Sequence, residues 1–187
     1  MDSTNWISKK VALLGSHAVG KTSLISRFVY QKFSDKYLTT IGLKVDKKTI
    51  DVKDHRIDLV IWDIAGRDNT SEVPYYYLRG CSGIIYVIDT TRESTYKDLD
   101  QKVKELKEMV SGVEVIIAAN KADLFLSDEE NASEEDKVEL LLKNKEFIAT
   151  LESMPMKPHF ITSAKTGMNV ENMFMGLANS MLSKEQG

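Results

Sequence analysis

Short apolar runs alternate along the chain with longer segments in which apolar residues recur every three or four positions. Apolar or β-rich runs of strand length predict strands at Lys9–Leu14, Leu43–Val52, Arg56–Trp62, Gly83–Asp89, Val113–Ala119 and Phe160–Thr162. Helical spacing predicts helices at Thr22–Tyr30, along Leu99, Val103, Leu106 and Val110, and along Val170, Phe174, Leu177 and Leu182. Because strands and helices alternate, we expect an α/β fold with a mostly parallel six-stranded sheet and helices on both faces.

The segment around residues 127–152 is acidic at its start and carries apolar residues at helical spacing farther on. Two capping-box patterns, Ser127-x-x-Glu130 and Ser133-x-x-Asp136, predict helix starts there, since carboxylates favour the positive end of a helix dipole. A solvated helix face and a partner-binding surface are both compatible with this acidity. The chain has no internal repeat or low-complexity linker, so we expect a single domain over residues 1–187.

Composition and charge narrow the class of protein. Hydrophobic residues make up 42% and charged residues 28%, close to the globular average, which argues against a disordered or fibrous chain. The net charge of −3 gives no general electrostatic reason to expect binding to nucleic acid or to an anionic membrane. The single cysteine, Cys81, cannot form an internal disulfide, and the apolar runs are shorter than the ~20 residues that span a bilayer. These features favour a cytoplasmic protein.

The turn after the first predicted strand carries the pattern of a phosphate-binding loop. Gly15-Ser-His-Ala-Val-Gly-Lys-Thr22 matches G-x-x-x-x-G-K-[ST] between a predicted strand and a predicted helix. Gly20 lets the backbone turn its N–H groups inward, the helix start adds unpaired N–H groups, and Lys21 brings a positive charge to the outer phosphates. We expect the phosphates to contact Ser16, His17, Ala18, Val19, Gly20, Lys21, Thr22 and Ser23.

An acidic residue and a glycine follow the predicted strand Arg56–Trp62. Asp63, at a strand end beside the phosphate loop, is well placed to hold a water of Mg²⁺, and the Thr22 hydroxyl can bind the ion. Gly66 offers an N–H on a backbone that can approach a γ-phosphate. These residues predict a nucleoside triphosphate bound together with Mg²⁺.

Two loops after later strands predict which base is bound. The ionised Asp123 carboxylate can accept hydrogen bonds from N1–H and N2–H of guanine, whereas adenine presents an acceptor at N1. Lys121 can lay its methylenes along the base, and the Ser163–Lys165 turn offers backbone donors for the guanine carbonyl. The expected guanine site therefore contains Asn120, Lys121, Asp123, Leu124, Ser163, Ala164 and Lys165.

Together these motifs resemble the Ras superfamily of small GTPases, and the Rab family most closely. The resemblance runs from Lys9 to Leu182 and includes Rab-like stretches at Tyr37–Gly42, Trp62–Gly66, Leu78–Gly80 and Gly83–Asp89. It implies a P-loop NTPase fold of the small-GTPase (G domain) type, with GTP or GDP and Mg²⁺ as ligands. It also implies a monomeric switch in vesicle trafficking that hydrolyses GTP to GDP and phosphate.

The same resemblance assigns residue roles. It implies that Thr40 binds Mg²⁺ and senses the γ-phosphate, so that the metal site consists of Thr22, Thr40 and Asp63. It implies that Phe33 packs edge-on against the guanine. The switch segments, 33–44 and 64–78, would bind effector, exchange-factor and GTPase-activating proteins. The implied catalytic residues are Lys21, Thr40, Gly66 and Arg67.

Several features depart from the family pattern. Arg67 stands where the family usually has the glutamine that orients the attacking water, and His17 and Ala18 fill phosphate-loop positions that usually hold glycines or small residues. The stretch from Asp123 to Ser163 is longer than in Ras or Rab proteins, and about as long as in Rho proteins. Because arginine has five donors and no acceptor, we expect slow GTP hydrolysis. Two other interpretations of Arg67 are an arginine finger supplied in cis, which would stabilise transition-state charge, and an outward-facing, neutral side chain. The alternatives are a GTP-binding adaptor with little or no hydrolysis and, less in keeping with Asp123, an ATP-using P-loop enzyme.

The two ends of the sequence give an expectation about membranes. Residue 2 is aspartate, which excludes N-myristoylation, and the C-terminal residues contain no cysteine for prenylation. We therefore expect a cytoplasmic protein that does not insert directly into a membrane, and that is peripheral to membranes only if a lipidated tail belongs to it.

Overall fold

A computed structural model describes residues 5–34, 39–66, 73–126 and 133–185. Its strands are β1 (Asn5–Leu14), β2 (Leu43–Val52), β3 (His55–Ile64), β4 (Gly83–Asp89), β5 (Glu114–Asn120) and β6 (Phe160–Ile161). They form one six-stranded sheet in the order β2-β3-β1-β4-β5-β6, in which only β2 runs antiparallel to its neighbour. This confirms the predicted mostly parallel sheet.

The start of β1 differs from the prediction. The apolar run predicted a strand from Lys9, but the strand begins at Asn5, because Asn5–Ser8 pair in register with His55–Asp58 of β3. These added residues include polar ones that backbone pairing holds in the sheet, so hydrophobicity alone did not mark them. The turn between β2 and β3 consists of residues 53 and 54, with Lys53 at a left-handed φ of 52°.

Helices cover both faces of the sheet, as the alternating pattern predicts. They are α1 (Lys21–Tyr30), α2 (Tyr75–Leu78), α3 (Leu99–Met109), α4 (Glu134–Lys143), α5 (Lys145–Ser153) and α6 (Val170–Glu185). On one face α1 packs against α6, where the rings of Phe28 and Phe174 stack with centroids 3.9 Å apart. On the other face Leu99, Val103 and Leu106 of α3 are buried against β4 and β5.

The described part of the long acidic segment forms α4 and α5. Ser133 caps α4 as predicted, since its hydroxyl accepts from the Asp136 N–H and the Asp136 side chain accepts in return. The capping box predicted at Ser127–Glu130 lies outside the described residues. Leu141 and Phe147 are buried in a small cluster with Ala122, so these helices support the loop that follows β5.

The edge of the sheet that holds the carboxyl ends of β1, β3, β4 and β5 brings the predicted chemistry together. The phosphate loop follows Leu14, the Asp63–Gly66 segment ends β3, and the base-recognition loop begins at Asn120. In parallel α/β sheets this edge is where ligands bind. Cys81 is buried, and none of the helices described here is long and apolar enough to cross a bilayer.

Candidate functional site

A cavity of about 520 Å³ opens at this edge of the sheet. Most of the predicted ligand-binding residues line it: His17, Ala18, Gly20, Lys21, Thr22, Ser23, Phe33, Thr40, Gly66, Asn120, Lys121, Asp123, Leu124, Ala164 and Lys165. Ser26 and Ser34 also line it and were not predicted. The motifs, which lie far apart in sequence, therefore share one site.

Two glycines shape the phosphate loop. Gly15 has a φ of 136°, and a Cβ there would lie 2.1 Å from the Val87 carbonyl oxygen. Gly20 has a φ of 100°, and a Cβ there would lie 2.3 Å from the Asn120 side-chain nitrogen. Both positions combine a left-handed backbone with close packing, so only glycine fits without movement of the loop.

The Lys21 side chain lies inside the curve of this loop. Its ammonium donates to the carbonyl oxygens of Gly15, at 2.8 Å, and Ser16, at 2.9 Å, and the residue is 6% exposed. Lys21 is also the first residue of α1, whose N-terminal N–H groups have no partner within the helix. A buried positive charge and a helix N-terminus thus lie at one end of the cavity, where both favour an anion.

Gly66 approaches the same ammonium from β3. A Cβ at Gly66 would lie 2.5 Å from Lys21 Nζ and 2.6 Å from the Ser16 carbonyl oxygen, so the cradle admits no side chain. The predicted catalytic residue Arg67 comes next in the chain and lies outside the described residues. Its role therefore stays a prediction.

Three oxygen-bearing side chains converge beside the phosphate loop. The Thr22 hydroxyl donates to Asp63 Oδ2 at 2.6 Å and lies 2.6 Å from the Thr40 hydroxyl. Because the single Thr22 proton is donated to Asp63, the Thr40 hydroxyl must be the donor to Thr22. Thr40 Oγ1 also lies 3.5 Å from Asp63 Oδ2. The residues predicted to hold a metal are thus in mutual contact.

Asp63 fits a cation. The residue is fully buried, and its second carboxylate oxygen, Oδ1, has no hydrogen-bond partner among the described residues. Burial raises the pKa of Asp63, and the hydrogen bond from Thr22 and the positive charge of Lys21 offset this rise only in part. A carboxylate and two hydroxyls are the hard oxygen donors that Mg²⁺ prefers. The residues present therefore fit the predicted ion.

The predicted base-recognition residues, except Ser163, also line the cavity. Asp123 is half-buried, and its Oδ1 accepts a hydrogen bond of 2.6 Å from the Ser163 hydroxyl, which holds the carboxylate in place. Lys121 has a left-handed backbone, and its ammonium lies 2.7 Å from Asp89 Oδ2. Leu124 is 61% exposed at the rim. Phe33 is half-buried on the same wall of the cavity.

Asn120 joins the loops to one another. Its amide nitrogen donates to the Val19 carbonyl at 2.9 Å, and its Oδ1 accepts from the Ala164 N–H at 3.2 Å and lies 3.3 Å from the Thr162 hydroxyl. The side chain is buried, so losing it would leave these partners unsatisfied. The N–H of Ser163 also donates inside the protein, to the Met168 carbonyl at 3.1 Å.

Ser16, Val19 and Ser163 contribute from behind the cavity wall. Ser16 offers its carbonyl to Lys21, Val19 is buried in the core, and Ser163 orients Asp123. That Ser163, Ala164 and Lys165 present backbone donors to a guanine carbonyl stays a prediction, since the first two N–H groups are engaged within the protein.

Several residues that were not predicted from the sequence hold the site from outside. The Arg27 guanidinium donates to the Ala164 carbonyl at 2.9 Å and to the Lys165 carbonyl, which fixes the turn after β6. Asp89 and Arg92 connect the base loop to the phosphate loop. Arg27 lies on a polar helix face, and nothing in the local sequence indicates its role. Asp89, in contrast, lies at a strand end, and this position could have suggested a role in the site.

Known proteins provide a comparison for this geometry. A model of the Ras family matches residues 10–183. Ras-related protein Rab-13 from Mesocricetus auratus is 35% identical over 179 residues, which cover 95% of this chain and 82% of the relative. Ras-related protein Rab-21 from Mus musculus is 34% identical over 180 residues, 96% of this chain and 75% of that protein. Ras-related protein RABE1d from Arabidopsis thaliana is 33% identical over 173 residues, 92% and 74% of the two chains.

Proposed function

This chain belongs to the Ras family and is a Rab-like small GTPase, and we propose that it acts in membrane trafficking as a GTP/GDP switch with slow intrinsic hydrolysis. One observation carries the proposal: Lys21 and Asp123 line the same cavity of about 520 Å³. A buried ammonium at one end suits phosphates, and a carboxylate at the other suits the N–H donors of guanine. The cavity is thus matched to a guanosine di- or triphosphate.

At the base end, Asp123 is the residue that discriminates. Its ionised carboxylate accepts from guanine N1–H and N2–H, while the Ser163 hydroxyl keeps the carboxylate oriented. Adenine would place an acceptor against this carboxylate and leave it unpaired, which strongly disfavours ATP. Lys121 lines the base, and Phe33 borders the base on the switch side.

At the phosphate end, the chain holds the γ-phosphate by charge and by backbone donors. Lys21 can turn from the loop carbonyls toward the outer phosphates, and the Gly66 N–H approaches from β3. Both groups lie at the site before a nucleotide binds, and placing charge and donors around the phosphates is how phosphoryl transfer is chiefly catalysed.

Thr22, Thr40 and Asp63 would hold Mg²⁺. The ion, when bound, neutralises charge on the β- and γ-phosphate oxygens. Thr40 would report the γ-phosphate, because its hydroxyl contacts Thr22 and lies close to Asp63 at the proposed Mg²⁺ site. Release of these contacts after hydrolysis would free the segment 33–44.

Slow hydrolysis follows from Arg67. A glutamine orients the attacking water through one acceptor and one donor, whereas a guanidinium has no acceptor. His17 adds bulk in the phosphate loop, where it lines the cavity. An adaptor that binds GTP and scarcely hydrolyses it is the second candidate, and the same two residues favour it.

Partner proteins would bind at the switch segments 33–44 and 64–78. Large apolar side chains are exposed there: Ile41 is 91% exposed, Tyr75 54% and Tyr76 65%. Exposed aromatic and aliphatic groups of this size are typical anchors of protein interfaces. We infer that effectors, exchange factors and GTPase-activating proteins contact this surface of a cytoplasmic monomer, whose stay at membranes is peripheral.

Two measurements test the proposal. The nucleotide released from purified protein by denaturation should be GDP if the switch turns over, and GTP if the adaptor alternative holds, whereas ATP or ADP would contradict guanine binding. Single-turnover hydrolysis should be slow in the parent and faster by at least about tenfold in Arg67→Gln, with Arg67→Ala close to the parent. If both substitutions slow the reaction, Arg67 instead stabilises transition-state charge and the slow-switch proposal is wrong.

A further inference from the structure

Asp89, the last residue of β4, is a buried carboxylate with a full set of partners. It is 1% exposed, and its Oδ1 accepts from the Thr91 N–H at 3.0 Å and the Thr91 hydroxyl at 2.7 Å. Its Oδ2 accepts from Arg92 Nε at 2.9 Å and from Lys121 Nζ at 2.7 Å. One carboxylate oxygen therefore joins two cations that belong to different loops.

Arg92 uses two nitrogens of its guanidinium for two different partners. While Nε contacts Asp89, Nη2 donates to the His17 carbonyl of the phosphate loop at 2.6 Å. The backbone of Arg92 is itself held, since its N–H donates to the Asp89 carbonyl at 3.0 Å and its carbonyl accepts from the Thr95 hydroxyl at 2.7 Å. A planar guanidinium with two fixed donors keeps its two partners at a set separation.

The contact with His17 bears on the donor beside it. The His17 carbonyl and the Ala18 N–H belong to one planar trans peptide, so they point in opposite directions. Arg92 holds the carbonyl from outside, which aims the Ala18 N–H away from Arg92. His17 and Ala18 both line the nucleotide cavity. The outside contact thus fixes the direction of a phosphate-loop donor.

We propose that Arg92 is a positioning residue that locks the phosphate loop to the base loop through Asp89 and thereby slows release of the nucleotide. The proposal rests on the proposed function, since it concerns a guanine nucleotide in this cavity. Asp89 connects Lys121 at the base end with Arg92, and Arg92 connects to His17 at the phosphate end. Breaking the contact at the phosphate loop should therefore also weaken the contact at the base loop, and both loops hold the nucleotide.

The test measures release of a fluorescent GDP from the full chain in the presence of Mg²⁺, for the parent, Arg92→Ala and Arg92→Lys. Loss of a hydrogen bond from a charged donor should speed release by about tenfold in Arg92→Ala. Arg92→Lys keeps the charge but has one donor centre, which cannot reach Asp89 and His17 together, so it should remain fast. Arg56→Ala is the matched control, because Arg56 pairs with Asp51 on the exposed sheet face.

Two further readouts separate positioning from general destabilisation. Amide hydrogen exchange over residues 16–20 should speed up in Arg92→Ala, while exchange in β5 and the melting temperature stay near those of Arg56→Ala. The preference for GDP over inosine diphosphate should be unchanged, because Arg92 does not touch the base. Arg92 is 37% exposed, so its replacement leaves the core intact.

The outcomes are distinct. Faster release in both Arg92 variants, with local exchange at 16–20, supports the proposal. Release at the parent rate in Arg92→Ala, or restoration by Arg92→Lys, overturns it while the proposed function stands. A parent that binds no guanine nucleotide overturns the proposed function and this inference together.

Discussion

Two buried carboxylates at the same edge of the sheet have opposite surroundings. Asp89 accepts hydrogen bonds on both oxygens from Thr91, Arg92 and Lys121. Asp63 shares one oxygen with Thr22 and Thr40, and its other oxygen has no partner in the described part of the chain. Burial raises the pKa of Asp63, whereas hydrogen bonds to Asp89 outweigh its burial and lower its pKa.

The protein itself supplies all the hydrogen-bond partners of Asp89, whereas one oxygen of Asp63 is left for a ligand or ion to engage. On the side of Asp89, the chain satisfies its own polar groups and the base pocket is organised in advance. On the side of Asp63, an unpaired buried oxygen is costly unless a ligand or ion engages it. Affinity and selectivity should therefore depend on the first side, and response to the γ-phosphate on the second.

The largest expected effect concerns selectivity on the organised side. Asp123→Asn should cut the preference for guanine over xanthine nucleotides by roughly 10⁴-fold, because an amide can donate to the extra xanthine carbonyl. Competition titrations with labelled GDP and xanthosine diphosphate measure this. Asp54→Asn, in the exposed hairpin turn, is the control. An unchanged preference for guanine over xanthine nucleotides would show that Asp123 does not contact the base.

The next largest effect is expected when each of the two buried carboxylates is replaced in turn and the variants are compared. In Asp63→Asn, the Mg²⁺ concentration that slows GDP release should rise about 10- to 100-fold, because the charged oxygen proposed to bind the ion becomes neutral. Asp89→Asn should release GDP faster at every Mg²⁺ concentration and keep the parent's Mg²⁺ midpoint. Release rates across a Mg²⁺ titration give both values. If the Mg²⁺ midpoint shifted only in Asp89→Asn, then Asp89 and not Asp63 would be the carboxylate on which Mg²⁺ binding depends.

A smaller effect is expected at Thr40. Thr40→Ala should bind GDP within about twofold of the parent, but its affinity for a non-hydrolysable GTP analogue should fall about fivefold to tenfold. The hydroxyl lost is the one in contact with Thr22 and Asp63. Thr39→Ala, exposed and next in the chain, should match the parent for both ligands. Equal losses for GDP and the GTP analogue would contradict a γ-phosphate sensor.

The smallest expected effect is a pH dependence of stability from Asp89. Since hydrogen bonds hold its folded pKa below the unfolded value, the ionised group stabilises the fold above the unfolded pKa, and this contribution is lost as pH falls through the folded pKa. The parent's advantage over Asp89→Asn in free energy of unfolding should shrink by about 1 kcal/mol. Urea unfolding between about pH 6 and pH 3 measures it. An advantage that grows on acidification would contradict the sign.

The sequence predicted those parts of the site that depend on local pattern. Gly15–Thr22 and Asp123 follow strands whose apolar runs were evident, and parallel strands must bring their carboxyl ends together. Arg27 and Arg92 could not be predicted in this way. Each donates to a backbone carbonyl far away in sequence, and since every residue has a backbone carbonyl, the sequence does not show which one is the acceptor.

The start of β1 shows the same limit in the fold. Its first residues, Asn5–Ser8, join the sheet by pairing with β3, so their own hydrophobicity does not reveal the strand. The acidic helices were predicted in part, because the capping box at Ser133 is a local pattern. Their packing around Phe147 beneath the loop of Ala122 depends on contacts across the fold.

Amide hydrogen exchange of the Mg²⁺ complexes with GDP and with a non-hydrolysable GTP analogue tests the contrast most directly. We expect residues 39–44 to exchange about tenfold more slowly with the GTP analogue, since the γ-phosphate is proposed to hold Thr40 in place. We expect equal exchange over residues 120–124, because protein groups hold Asn120 and Lys121 and both ligands carry the same base. Equal exchange at 39–44 with the two ligands, or a change at 120–124 as large as that at 39–44, would contradict the contrast between the Asp63 side and the Asp89 side.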